Sequence, residues 1–135
     1  MNKIQAKNML NDVVEHFSSN PCKLRSRSKI GTCLYNPPSY KTESIGCAIG
    51  MYISKEDAMY LDIHGGTIES VFNVYEDLSY NEELWYKLPK WMQKMDPNFL
   101  SEIQNLHDVD ENWTNTTISE KGEGVVLSII KTYNL

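Results

Sequence analysis

Apolar positions recur along this chain with a helical period over much of its length. Ile4, Ala6, Met9, Leu10, Val13, Val14 and Phe17 predict an amphipathic helix over residues 2–18, and Ser18-Ser19-Asn20-Pro21 ends it. Two apolar runs of different character follow. Residues 32–35 and 45–53 hold one cysteine each and flank Asn36-Pro37-Pro38-Ser39, which is turn chemistry, so they read as two strands of an antiparallel hairpin. The second run, Ile45-Gly46-Cys47-Ala48-Ile49-Gly50-Met51-Tyr52-Ile53, is apolar almost throughout, as a strand buried on both faces would be.

Helical signals then return. Ser54 with Asp57 three residues later starts a short helix running to about Leu61, and Ile63-His64-Gly65-Gly66 breaks the pattern. Thr67 caps a second short helix through Tyr75. Residues 76–96 are irregular and aromatic. Asp96-Pro97 is a helix start, with Phe99, Leu100, Ile103 and Leu106 as one stripe beyond it. Residues 107–117 form a polar loop. Thr117 and Glu120 have capping-box spacing, and Val125, Val126, Ile129, Ile130 and Tyr133 fit a helix, although Gly122, Gly124 and the β-branched residues leave a strand open. The expected fold is a single α+β domain over 1–135: a small antiparallel hairpin surrounded by four to five helices. A lone hairpin needs covering, by those helices or by a second copy of the chain in a homo-oligomer.

Composition narrows the functional classes. The chain has 135 residues and a formal net charge of −5. Residues 1–67 carry 8 basic against 6 acidic side chains; residues 68–135 carry 5 against 12. This acidic balance argues against duplex nucleic acid as a partner. The sequence shows neither a membrane span nor a leader-type apolar run, so a cytoplasmic location is expected, with Cys22, Cys33 and Cys47 as thiols. In that compartment the sequons at Asn112 and Asn115 are chance.

Four groups could carry chemistry. Cys33 or Cys47 with His107 and Asp108 has the residue types of a thiol nucleophile, its base and an orienting carboxylate. Lys23, Arg25, Arg27 and Lys29 are the basic cluster, suited to a phosphate-bearing ligand. Trp85, Tyr86 and Trp91, in an aromatic run with Tyr75 and Tyr80, are the residue types that anchor protein partners. His107-Asp108 also invites comparison with His-Asp metal phosphohydrolases, for which His64 and Asp110 would have to supply the remaining ligands. No Cys-x-x-Cys or His-x-x-x-His is present, so no metal and no cofactor is expected. Gly65-Gly66-Thr67 before a helix reads as an ordinary capped N-terminus.

Gly31-x-Cys33-x-Tyr35, Cys47-Ala-Ile-Gly50, Leu88-Pro89, Phe99-Leu-x-x-x-Gln104-x-x-His107-Asp108 and a terminal Tyr133-Asn134-Leu135 occur in that order. This order resembles a family of small bacteriophage and bacterial proteins of uncharacterised activity, over roughly residues 30–135. The resemblance implies a phage-encoded protein acting in the host cytoplasm. Together with the lack of a complete catalytic constellation and the basic and aromatic clusters, it leads to the expectation of a non-enzymatic binding protein. Such a protein would interfere with a host or anti-phage defence component, by binding a host protein or sequestering a small phosphorylated ligand. A Cys/His-dependent hydrolase or transferase is the alternative, and a structural role in a virion a third reading.

Overall fold

The computed structural model describes residues 1–72 and 83–135. Helix α1 (Lys3–Ser19) starts at Asn2, whose side chain accepts the Gln5 amide at 3.1 Å, and buries Ala6, Met9, Leu10, Val13 and Phe17. Asn20 ends it and caps the short α2 (Pro21–Leu24), which has Pro21 in its first turn. Helices α3 (Lys55–His64), α4 (Ile68–Phe72) and α5 (Lys90–Gln93) follow. Then come α6 (Pro97–Asp108) and α7 (Glu120–Tyr133).

The predicted α+β architecture is wrong. Among the described residues there is no sheet; two isolated antiparallel bridges, Arg27 with Cys33 and Trp113 with Ile118, are the only β pairing. The error lies in residues 45–53. An apolar run can be buried without a partner strand if its backbone bonds close locally. Here Met51, Tyr52 and Ile53 donate to the carbonyls of Cys47, Ile49 and Gly50, and Gly50–Tyr52 is a 3-10 turn. Gly46 has φ +120°, and a Cβ on Gly50 would lie 1.9 Å from the Tyr35 carbonyl oxygen. The coil therefore packs directly on the Tyr35 backbone, with Cys47, Ala48 and Ile49 in the core. Residues 32–35 pair backwards instead. Ser28 donates to Thr32 and Leu34 to Ser26, closing a tight loop over residues 26–34.

The helical expectations fare better. Ser54 caps α3, which runs three residues past the predicted end before Gly65 closes it by donating to Leu61. Thr67 caps α4; residues 73–75 of that predicted helix, and Tyr75 and Tyr80, lie outside the described residues. Asp96 caps α6 at 2.8 Å. Residues 122–133 are helical, and the cap is Ser119 rather than Thr117, accepting from the Gly122 amide at 3.0 Å.

Helix α6 is the centre of the fold. It packs on α1, α4, α7 and the 3-10 turn Asp110–Asn112. Its buried set, Phe99, Leu100, Ile103, Gln104, Leu106 and His107, carries the predicted stripe inward and adds two polar residues at its C-terminal end.

Glycine substitutions separate close packing from helix propensity. Gly50→Ala is expected to destabilise the protein by at least about 1–3 kcal/mol, because the rigid Tyr35 backbone must move. Gly124→Ala, in α7 with open space around it, is expected to stabilise by about 0.5–1 kcal/mol. Urea denaturation of the two variants checks both signs.

Candidate functional site

The end of α6 is where the predicted site residues Arg25, Arg27, Cys33, His107 and Asp108 meet. Helix C-termini leave carbonyls without intrahelical partners, and buried ones must find donors elsewhere. The Leu106 carbonyl accepts Trp113 Nε1–H at 2.9 Å and Asn112 Nδ2–H at 3.2 Å. The His107 carbonyl accepts Arg25 Nε–H at 2.8 Å. The Asp108 carbonyl accepts Arg25 Nη2–H at 3.1 Å and Arg27 Nη1–H at 2.9 Å. Two guanidiniums thus sit at the negative end of the helix dipole. Both also donate to the Asp110 carboxylate, Arg25 at 3.0 Å. Partial burial would raise the Asp110 pKa, but the hydrogen bonds and charges of Arg25 and Arg27 outweigh it and hold the carboxyl below its ordinary value.

His107 is completely buried, edge-on to Phe17. Its Nε2 accepts the backbone N–H of Ser26 at 3.1 Å. The ring proton of the neutral imidazole must then sit on Nδ1, which lies 2.7 Å from Asp108 Oδ1 and donates to it. Burial, opposed by the Asp108 carboxylate, leaves the His107 pKa below its ordinary value, so the ring is neutral.

The fold brings Cys33 to this pair: donor atoms of Cys33, His107 and Asp108 all lie within 4.8 Å of one another. The three do not make a nucleophile with its base. Both imidazole nitrogens are already engaged. Burial, then the hydrogen bond and charge of Asp108, push the Cys33 thiol far above the ordinary thiol range. Cys47 is fully buried, and burial pushes its pKa up to about 12. Neither thiol is ionised near neutral pH. The trio is equally ill suited to a cation. A metal on Nδ1, with Nε2 still accepting from Ser26, would demand an imidazolate. Cys22 and His64 do not join the cluster: Cys22 is exposed beside Asn115, and His64 stacks on Tyr60.

The basic residues divide. Arg25 and Arg27 face the helix end, whereas Lys23 pairs loosely with Glu43 at 3.8 Å and Lys29 lies over the Tyr40 ring. Arg25 and Arg27 also line a surface cleft of about 370 Å³ with Lys41, Asp110, Trp113 and Asn115. Lys41 is not among the site residues that the sequence points to. It is remote in sequence from the basic cluster, and no periodic signal marks it. Its Nζ donates to the Cys22 carbonyl, and burial followed by repulsion from Arg25 lowers its pKa. The aromatic candidates are also split. Trp91 packs edge-on to Tyr52, Trp85 edge-on to Tyr86, and Tyr86 is the exposed member.

Among the described residues, no helix is long and apolar enough to cross a membrane. Compared with known proteins, the chain matches no family model, no curated protein and no solved structure.

Two measurements test this electrostatic picture. In the native protein, iodoacetamide is expected to modify the exposed Cys22 first, Cys33 much more slowly, and Cys47 only on unfolding. Mass spectrometry of tryptic peptides reads the order. Folding stability is expected to decline as pH falls below about 6.5, because the unfolded chain then protonates His107 and His16 while the native state resists. Urea midpoints between pH 7.5 and 5 measure the slope, and His107→Gln should remove the larger part of it.

Proposed function

We propose that this chain is a non-enzymatic binding protein that holds a small phosphorylated ligand in the cleft beside the end of α6. One observation carries the reading: Arg25, Arg27 and Lys41 converge on a single cleft in which Asp110 is the only carboxylate among the described residues. The two guanidiniums are largely withdrawn from solvent, with 11% and 21% of their side-chain surface exposed, while Asp110 is 72% exposed. An arginine clamp closed by an exposed carboxylate on a short turn is suited to exchange. A ligand phosphate takes the place of Asp110 and meets charges already held in position. Trp113 and Asn115 supply an apolar wall and a neutral hydrogen-bonding group.

Catalysis is not part of the proposal. The hydrolase or transferase alternative needs an ionised thiol beside a free imidazole nitrogen, and Cys33, Cys47 and His107 offer neither. Action in the bacterial cytoplasm against a host or defence component rests on the phage-family resemblance. Sequestration of a phosphorylated signal is the form of it that the cleft supports.

Arg25 and Arg27 also hold α6, so the informative substitutions lie elsewhere. Asp110→Asn removes the internal competitor and is expected to tighten binding of pyrophosphate or a nucleoside diphosphate about ten-fold. Lys41→Glu is expected to weaken it by a similar factor, with both variants remaining folded. Isothermal titration calorimetry reads the constants. No binding by the wild type or by Asp110→Asn at millimolar ligand would remove the phosphate reading and turn attention to a protein partner at the Tyr86 surface.

A further inference from the structure

A second cavity, of about 420 Å³, opens on the other side of the Cys33–Asp108 contact, between α3, α4 and α6. Its chemistry is opposite to that of the arginine cleft. Asp62, Glu69 and Asp108 line it, and among the described residues no lysine, arginine or histidine does. The hydrogen bonds of its wall are one-sided too. Tyr35 Oη–H donates to the Gly66 carbonyl at 2.7 Å and Ser101 Oγ–H to Glu69 at 2.6 Å. Gln104 Nε2–H donates to Asp108 Oδ1 at 2.7 Å, an oxygen that also accepts from His107. Three side-chain donors of the wall are thus spent on the wall's own acceptors.

One buried acceptor of the wall is left unpaired. Gln104 is nine-tenths buried, and its Oε1 has no partner among the described residues. The amide cannot be turned over to relieve this, because its nitrogen faces a carboxylate. A buried acceptor left unpaired is costly, and such a group in a cavity wall calls for a donor that the chain does not supply, from water or from a ligand. Leu34, Leu61 and Ile68 supply the apolar remainder of the lining.

We infer that this cavity is a binding site for a small organic cation with an apolar body, an amidinium or primary ammonium. Its N–H groups pair with Gln104 Oε1 and the carboxylates of Glu69 and Asp108, while its carbon body lies against Leu34, Leu61 and Ile68. The inference is independent of the phosphate cleft, since Arg25, Arg27 and Lys41 do not line this cavity.

The test is titration of the ¹⁵N-labelled full chain with benzamidine, followed by NMR, with the neutral benzamide as comparison. Saturable shifts of the Gln104 side-chain amide are expected with benzamidine, and binding of benzamide at least about ten-fold weaker. Glu69 lies at the exposed lip, where a substitution is expected to leave the fold intact. Glu69→Gln should weaken benzamidine about ten-fold, and Glu69→Lys, which tethers a cation at the site, should abolish binding. Absence of a saturable shift at Gln104, equal binding of the two compounds, or unchanged affinity in both Glu69 variants would overturn the proposal. Pyrophosphate affinity, measured on the same samples, should not respond to either Glu69 variant.

Discussion

The buried C-terminal end of α6 is the constraint on which the rest of this molecule depends. A central helix ending against the interior presents carbonyls largely withdrawn from water, and each buried one left unpaired costs about 1–3 kcal/mol. Three successive carbonyls, from Leu106 to Asp108, are met by Trp113, Asn112, Arg25 and Arg27. These partners come from both sides of the helix in sequence. The one requirement therefore positions the loop after α2 and the turn after α6 together. His107 completes the arrangement by accepting from Ser26, which ties the backbone of the same loop to the helix.

That constraint also explains why residues with the composition of an active site do not form one. A histidine serves as a base or ligand only with a free nitrogen, and the fold uses both. A thiol serves as a nucleophile only if its anion is stabilised. Cys33 faces a carboxylate, and Cys47 lies in the core. The same bonds that spend the catalytic types leave charge arranged around the helix end. Cations lie on the face toward Asp110, and acceptors on the face toward Glu69 and Asp62. Asp108 belongs to both sides, through its carbonyl to the arginines and through its carboxylate to His107 and Gln104.

Much of the helical framework was legible in the sequence, because its signals are local. Ser54, Thr67 and Asp96 each cap their own helix within three residues, and apolar spacing in α1 and α6 picks out most of the buried residues, with Ile4 an exposed exception. The hairpin failed because a continuous apolar run reports burial without reporting conformation. Whether Ile45–Ile53 pairs with a strand or coils on itself depends on how closely Gly46 and Gly50 meet the Tyr35 backbone. The composition of the run says nothing about that distance.

The candidate site divides along the same line. The sequence by itself determined the caps at Ser54, Thr67 and Asp96, the helix periods, the amphipathic stripe of α6, and the residue types able to hold a phosphate or act as thiol and base. Tertiary structure alone decided what those residues do. It set Arg25 and Arg27 on carbonyls more than 80 positions away, brought Lys41 and Asp110 to the same cleft, and left the Gln104 oxygen without a partner. The physical reason is range. A cap or a helical stripe is an interaction between neighbours in the chain. The state of a buried imidazole, thiol or amide is set by whichever atoms the whole fold places around it.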